Sequence, residues 1–320
     1  MKEKIRYSVV LPVFNEEKSL EELTQRLIKV FNGLQESYEI IFVDDGSQDN
    51  SFRVAEKLSR KNSKIKIISF RKNFGKSTAL ACGFHFSSGE IIFTMDADLQ
   101  DQPEDIPLFL QEFKKGYDLV SGWKKNRHDP IDKVLVSRIF NFLAAKLTGV
   151  KIHDFNCGFK AYKKETLKNL ELYGDLYRFI PALIFWQGFK VGEIIVHHKQ
   201  RSFGKSKFGQ SRLPRGVFDL FTIVFILRFL KRPLHFFGSL GLVFFLLGLL
   251  ISLYLTIIWF GGQAIGHRPL LILGVLLIVI GFQFISTGLL GEMMTYFQNR
   301  SEKEKIYPVA KILGTFLGEK

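Results

Sequence analysis

Two stretches of this chain, Pro233–Gly266 and Pro269–Gly291, contain no Asp, Glu, Lys or Arg. Each exceeds the roughly 20 apolar residues with which a helix crosses the hydrocarbon core of a bilayer. As core helices of a soluble fold, runs this long would need burial on every side. The sequence therefore predicts two membrane spans, about 234–260 and 269–291, followed by a tail over 292–320. The connector Gly261–Arg268 carries one Arg, whereas Arg228, Lys231 and Arg232 precede the first span and Arg300, Lys303 and Lys305 follow the second. That asymmetry predicts both flanks in the cytoplasm and the connector outside.

The first 207 residues read as a soluble domain. Met1–Arg6 is charged, and the apolar run behind it is short and ends in Pro12, so no secretory signal is expected ahead of the domain. The catalytic half is expected to stay in the cytoplasm of a cell whose inner membrane holds the spans. With only Cys82 and Cys157, reduced thiols are expected rather than a disulfide framework. The net charge of +14 fits anionic lipid and phosphate-bearing substrates better than nucleic acid once two spans are present.

Within the soluble half, short β-branched runs alternate with helical periodicity. Strands are expected over Tyr7–Val13, Glu39–Val43, Ile65–Phe70 and Glu90–Met95, and helices over Glu16–Phe31, Ser51–Ser59 and Ser77–Phe86. This alternation predicts an α/β fold built on a mostly parallel sheet with helices on both faces. Such sheets bind ligands at the carboxyl ends of their strands. The polar clusters fall there: Asn15-Glu16, Asp44-Asp45, and Asp96 with Asp98.

Asp96-Ala97-Asp98-Leu99-Gln100 offers three oxygen ligands at alternating positions. In extended chain such side chains point the same way and can meet one hard cation, Mg²⁺ or Mn²⁺, which in turn can bridge a diphosphate. The plainer reading is a polar turn with two solvated aspartates. Asp44 and Asp49 read as turn and helix-capping residues.

Four motifs occur in order: Ser8-Val-Val-Leu-Pro-Val-Phe-Asn-Glu-Glu17, Val43-Asp-Asp-Gly-Ser-Gln-Asp49, Asn73-Phe-Gly-Lys76 and Met95-Asp-Ala-Asp-Leu-Gln100. Together they resemble the signatures of family 2 glycosyltransferases with a Rossmann-like GT-A fold. Within that family the chain resembles the polyprenyl-phosphate branch, the bactoprenol glucosyltransferases and dolichyl-phosphate mannose synthases. The resemblance implies that Pro12, Phe14, Glu16 and Asp45 line a nucleoside pocket. It also implies that Asp96, Asp98 and Gln100 hold a Mg²⁺ or Mn²⁺ ion and through it the donor diphosphate, with Lys76 and Lys124 beside them. Asp98, Asp154 and Arg201 are the implied catalytic residues. Where some dolichyl-phosphate mannose synthases have an arginine, Lys124 keeps the charge but lacks the planar fork.

Arg201-Ser-Phe-Gly-Lys-Ser-Lys207 is rich in cations and hydroxyls around a glycine. It resembles the loop this family folds over the donor and acceptor phosphates, which makes Arg201, Ser202, Lys205, Ser206 and Lys207 phosphate ligands, joined by Lys133. The plainer alternative is a basic juxtamembrane linker. Residues 127–149 read as an amphipathic helix through Ile131, Val134, Leu135, Ile139, Phe142, Leu143 and Leu147, and 208–232 as a juxtamembrane helix. Both are expected at the membrane interface.

The expected activity is inverting transfer of a hexose from a nucleotide sugar, UDP-glucose by preference, to undecaprenyl or dolichyl phosphate. GDP-mannose or another UDP-sugar is the alternative donor. A processive polysaccharide synthase is disfavoured, since Trp186-Gln187 lacks the Gln-x-x-Arg-Trp pattern. A non-catalytic membrane scaffold is the rival of a different class, and a small flippase finds no intramembrane charge to work with. Gly238, Gly241 and Gly248 would permit close helix approach and hence a homo-oligomer.

Overall fold

In a computed structural model of the chain, residues 4–125, 131–168, 170–172, 174–199, 212–229, 232–266, 269–298 and 309–314 are described, with side chains excluded at 131–136, 212–219, 221, 296–298, 309–310 and 312. They fall into two units, residues 1–223 with 306–320, and residues 224–305.

The first unit opens with Tyr7–Val13 (β1), Leu20–Leu34 (α1), Tyr38–Asp44 (β2), Ser51–Lys61 (α2), Ile65–Phe70 (β3), Lys76–Phe86 (α3) and Ile91–Thr94 (β4). Next come Ile106–Lys114 (α4), Leu119–Trp123 (β5), Ile131–Thr148 (α5), Lys160–Lys163 (β6), Ile180–Trp186 (α6) and Val191–Ile195 (β7). Arg212–Phe229 (α7) leads into Pro233–Phe260 (α8) and Pro269–Gln298 (α9), and Val309–Leu313 (β8) closes the described chain.

The sheet runs β7-β5-β6-β4-β1-β2-β3-β8. β1 pairs in parallel with β2 and β4, β2 with β3, and β5 with β7, while β6 and β8 run antiparallel to their neighbours. β1 and β2 are apolar along most of their length because both faces are covered, as parallel strands require. Alternation divides the core. Val9, Leu11, Ile40 and Phe42 face α1, α2 and α4, whereas Val10, Ile41, Val43 and Ile68 face α3 and α6.

Two features differ from the sequence expectation. Helical periodicity begins at Glu16, yet α1 starts at Leu20. The intervening residues form a turn, with Asn15 at φ 54°, whose N–H groups are drawn to the next βα loop. The amides of Asn15, Glu16 and Glu17 donate to Ser47, Ser51 and Asp49 at 3.0, 2.7 and 3.2 Å. Asp49 also accepts from the Ser51 N–H at 2.9 Å, and Asp44 from the Ser47 N–H at 3.1 Å, so both serve the turn that leads into α2, whose N-cap is Asn50. The second difference lies in the tail: its residues 309–313 return as β8 and cover the edge of β3. An open edge is a template for unwanted pairing, and this strand occupies it.

In the second unit, α8 and α9 have mean hydropathies of 2.6 and 2.5 with 17% and 11% of their apolar windows buried, so they are not core helices of a soluble fold. At 1.5 Å per residue each is about 40 Å long, enough to cross a bilayer. They pack through glycines. A Cβ on Gly241 or Gly248 would fall 2.6 Å from the carbonyl oxygen of Gly281 or Gly274, and one on Gly281 would fall 2.5 Å from the Phe245 nitrogen. Gly241 and Gly248 therefore serve the contact between α8 and α9. The Glu292 carboxylate accepts the Leu234 N–H at 3.3 Å, satisfying one orphan donor in the first turn of α8.

Candidate active site

The carboxyl ends of β1, β2 and β4 converge. Pro12 lies in register with Val43, and the Asp45 N–H donates to the Val13 carbonyl at 2.8 Å, which brings the half-buried Phe14 and Glu16 beside the Asp44-Asp45 pair. Asp45 is buried, and its two carboxylate oxygens accept the N–H groups of Phe74 and Gly75 at 2.7 and 2.9 Å. Burial pushes the Asp45 carboxyl up, against the pull of those two N–H groups. This double acceptor holds the loop ahead of α3, where Gly75 takes φ 92° and leaves Lys76 as the first helical residue.

Lys76 then reaches across to Asp96, with its ammonium 5.1 Å from the centre of the Tyr177 ring. β4 ends at Thr94, so Asp96 and Asp98 lie in a turn beyond the strand rather than on extended chain. Leu99 adopts φ 64°, and the Gln100 N–H closes the turn on Asp98 Oδ1 at 3.2 Å. A left-handed leucine is a strained position of the kind concentrated at functional sites. The Ser19 hydroxyl donates to the Ala97 carbonyl at 2.5 Å, tying this turn to the start of α1. Gln100 directs its amide nitrogen to the Lys199 carbonyl at 3.4 Å.

Charge is divided unequally between the two aspartates. Burial alone would raise Asp96, but Lys76 and Lys124 outweigh it and bring the carboxyl down to about 2. Asp98 is raised to about 6 by burial and by the negative charges of Asp96 and Asp101. Lys124, at the end of β5, sits 2.7 Å from Asp101, a carboxylate with no exposed surface. Burial opposes the Lys124 charge, yet Asp101 and Asp96 hold it above its ordinary value.

Asp154 is buried in the loop before β6 and its Oδ1 accepts the Asn156 N–H at 3.1 Å. The same loop carries Gly158, where a Cβ would lie 2.6 Å from Asp96 Oδ2, so the Asp154 loop and the acidic turn are in direct contact. Lys160 donates to the carbonyls of Phe155, at 3.3 Å, and Cys157. Burial pushes its ammonium down against the attraction of Asp154 and Asp96.

Of the residues expected from sequence, Pro12 near the end of β1, Lys76 at the start of α3, and Phe14, Glu16, Asp45, Asp96, Asp98, Gln100, Lys124 and Asp154 on loops thus lie at the strand-end rim of this sheet. Lys133 lies on α5 with its side chain outside the described set, and Arg201, Ser202, Lys205, Ser206 and Lys207 lie outside the described residues. Asp101, Lys160, Glu193 and Tyr177 were not singled out in the sequence. A lone lysine in the apolar run Phe159-Lys160-Ala161-Tyr162 was the available signal for one of them.

As a metal site the acidic turn is sparse. Among the described residues no three His, Cys, Asp or Glu side chains gather to hold an ion. The donor set of two carboxylates and an amide nevertheless suits Mg²⁺ or Mn²⁺, which bind through one or two carboxylates and take other oxygens from substrate phosphates.

The mostly parallel α/β sheet, with an acidic turn at the end of a central strand and lysines beside it, has the arrangement of a GT-A fold. Glycosyl transferase family 2 matches residues 8–171. The dodecaprenyl-phosphate galacturonate synthase of Rhizobium johnstonii is 38% identical over 96% of this chain and 93% of its own. The undecaprenyl-phosphate 4-deoxy-4-formamido-L-arabinose transferase of Yersinia pestis is 34% identical over 97% and 94%. Among solved structures, the Mycobacterium tuberculosis glucosyl-3-phosphoglycerate synthase with Mn²⁺ and UDP-glucose shares the fold, with a TM-score of 0.53 at 20% identity over 70% of this chain and 79% of that one. The chain belongs to glycosyl transferase family 2, and it is a glycosyltransferase.

Proposed function

We propose that this enzyme transfers a sugar from a nucleoside diphosphate donor to a polyprenyl phosphate at the cytoplasmic face of a membrane. The observation that carries the reading is the full-length match, through both apolar helices, to relatives named for polyprenyl-phosphate sugar transfer. The catalytic unit and both spans thus belong to one functional plan.

In this reading Pro12, Phe14, Glu16 and Asp45 receive the nucleoside, and Lys76 and Lys124 face the diphosphate. Asp96, Asp98 and Gln100 hold the divalent ion, whose contribution is to neutralise charge on the departing nucleoside diphosphate. Lys133 and the Arg201, Ser202, Lys205, Ser206 and Lys207 segment receive the acceptor phosphate. A phosphate oxygen of the acceptor bonds to the anomeric carbon as the bond from that carbon to the donor's β-phosphate oxygen breaks, and the electron pair leaves with the nucleoside diphosphate. Attack from the opposite face inverts the anomeric centre. A phosphate monoester is ionised near neutral pH, so no general base is needed, and Asp154 orients rather than abstracts. Alignment and charge stabilisation then supply most of the rate.

Lys and Arg flanks favour a cytoplasmic catalytic unit. On α5 the exposed Ile139, Phe142, Leu143 and Leu147 offer an apolar face for the headgroup boundary. UDP-glucose is the donor implied by a two-span tail that resembles that of the bactoprenol glucosyltransferases. Relatives that share the whole length are named for galacturonate and 4-deoxy-4-formamido-L-arabinose, so that tail does not mark a glucosyl donor. The donor class is therefore read as a nucleotide-linked uronic acid or amino-pentose ahead of glucose or mannose. Transfer of labelled sugar from a panel of UDP- and GDP-sugars into organic-extractable lipid, with Mg²⁺, Mn²⁺ or chelator, tests this. Label in the lipid phase with one donor and a metal supports it. Folded protein that labels no lipid with any donor contradicts it.

A further inference from the structure

Asp154 is held from a strand that the mechanism above does not use. Glu193 lies on β7, in register with Ser121 of β5, and its carboxylate turns toward the loop before β6. Oε1 accepts the N–H groups of His153 and Asp154 at 2.8 and 3.0 Å. Oε2 lies 2.7 Å from His153 Nδ1. The Asp154 carbonyl in turn receives the Ser121 hydroxyl at 3.5 Å, so both sides of this residue are engaged by adjacent strands.

The same carboxylate fixes an aromatic pair. The His153 ring stacks on Trp123 with centroids 4.1 Å apart and an interplanar angle of 13°. Trp123 immediately precedes Lys124, so one side chain on β7 orders the Asp154 backbone and the surface beside the diphosphate-facing lysine. Glu193 itself is 9% exposed, and burying a carboxylate is costly unless its acceptors are used. Here two backbone N–H groups and an imidazole use them. Asn141 on α5 holds the following residue through the Phe155 N–H at 3.3 Å, so the part of the loop that depends on Glu193 is confined to His153 and Asp154.

We infer that Glu193 is a positioning residue for the transfer reaction: it locks the His153-Asp154 turn so that Asp154 keeps its place in the loop that rests on the acidic turn through Gly158. The inference rests on the transfer proposed above, and its test is divided so that the two fail separately.

The first arm needs no substrate. Amide hydrogen exchange across 152–155 is compared between full-length wild type in detergent and the Glu193→Gln and Glu193→Ala variants. The Gln side chain retains one carbonyl acceptor in the same shape. Exchange of the His153 and Asp154 amides is expected to accelerate at least tenfold in Glu193→Ala and less in Glu193→Gln. Exchange unchanged in both variants overturns the lock whatever the substrate proves to be.

The second arm is turnover with the donor that labels lipid. Glu193→Ala should lose roughly 100-fold in kcat, the scale expected when loss of a positioning contact misaligns the reactants by about an ångström. The KM for nucleotide sugar should stay within about twofold, because the nucleoside side of the site is held by Asp45. Glu193→Gln should recover most of the loss. A purely structural role would instead lower the folded fraction with kcat per folded molecule intact, and that result overturns the inference. Wild type that transfers nothing counts against the proposed reaction, while the exchange arm still decides the lock.

Discussion

The Lys124 ammonium lies 2.7 Å from Asp101, which is wholly buried next to the acidic turn. Attraction at this depth holds only while both partners are present. Asp101→Ala leaves a buried cation and is expected to destabilise the enzyme by about 3–5 kcal/mol. Asp101→Asn keeps one acceptor and should cost less. Chemical unfolding of the detergent-solubilised variants checks both, and equal stability for Asp101→Ala and wild type would contradict the pairing.

The two aspartates of the acidic turn should respond to pH with opposite signs. Asp98 is raised to about 6 from an ordinary 3.8. Between those values the folded state keeps a proton that the unfolded state has released, so this group's contribution to stability falls as pH rises from about 4 to about 6. Asp96 is lowered to about 2, so its contribution is present above about 4 and is lost as pH falls toward 2. Metal-free Asp98→Asn should therefore melt above wild type at pH 7.5 and beside it at pH 4. Asp96→Asn should melt below wild type at pH 7.5. Thermal melts in chelator measure both, and shifts of the same sign would refute the charge division.

Gly158 allows the Asp154 loop to rest against Asp96. A Cβ at 2.6 Å from Asp96 Oδ2 must displace that carboxylate. Gly158→Ala should lower kcat by roughly 100-fold through misplacement of the site. Its melting temperature should change by only a few degrees, because the clash is with a side chain at the edge of the core. Turnover within twofold of wild type would show that the contact is not needed.

The α8–α9 hairpin depends on contact between backbones. A side chain on Gly281 meets the Phe245 nitrogen at 2.5 Å, and backbone cannot swing aside. Gly281→Val should destabilise the hairpin by about 1–3 kcal/mol, the usual scale of overpacking. Gly266→Val has nothing within 4 Å of the added Cβ and should be neutral. Unfolding of both variants in mixed micelles distinguishes them.

The sequence disclosed what depends on local pattern. Four strands, three helices, the two long uncharged helices and the polar clusters at strand ends follow from periods of 2 and 3.6 and from runs without charge. What it withheld depends on pairing between distant segments. β6 carries Lys160 inside an apolar run, and only the antiparallel pairing with β4 shows that this lysine is buried. β8 resembles any short tail segment until β3 offers its edge. Asp96 and Asp98 were legible as an acidic motif, but extended alternation misdescribed their geometry, because the left-handed Leu99 puts them in a turn. Glu193 had no signal: one acidic residue between Gly192 and Ile194 is ordinary strand sequence until the His153-Asp154 amides are found pointing at it.

In the proposed reaction the sugar, and not a sugar phosphate, passes to a lipid phosphate. Its most direct measurement is the mass of both products when the purified enzyme, a nucleotide sugar and undecaprenyl phosphate are incubated with Mn²⁺, beside an Asp98→Ala control. The expected products are a nucleoside diphosphate and a lipid that has gained one glycosyl residue while keeping a single phosphate, with neither formed by the variant. A nucleoside monophosphate with a lipid diphosphate sugar, or products of equal amount from Asp98→Ala, would contradict it.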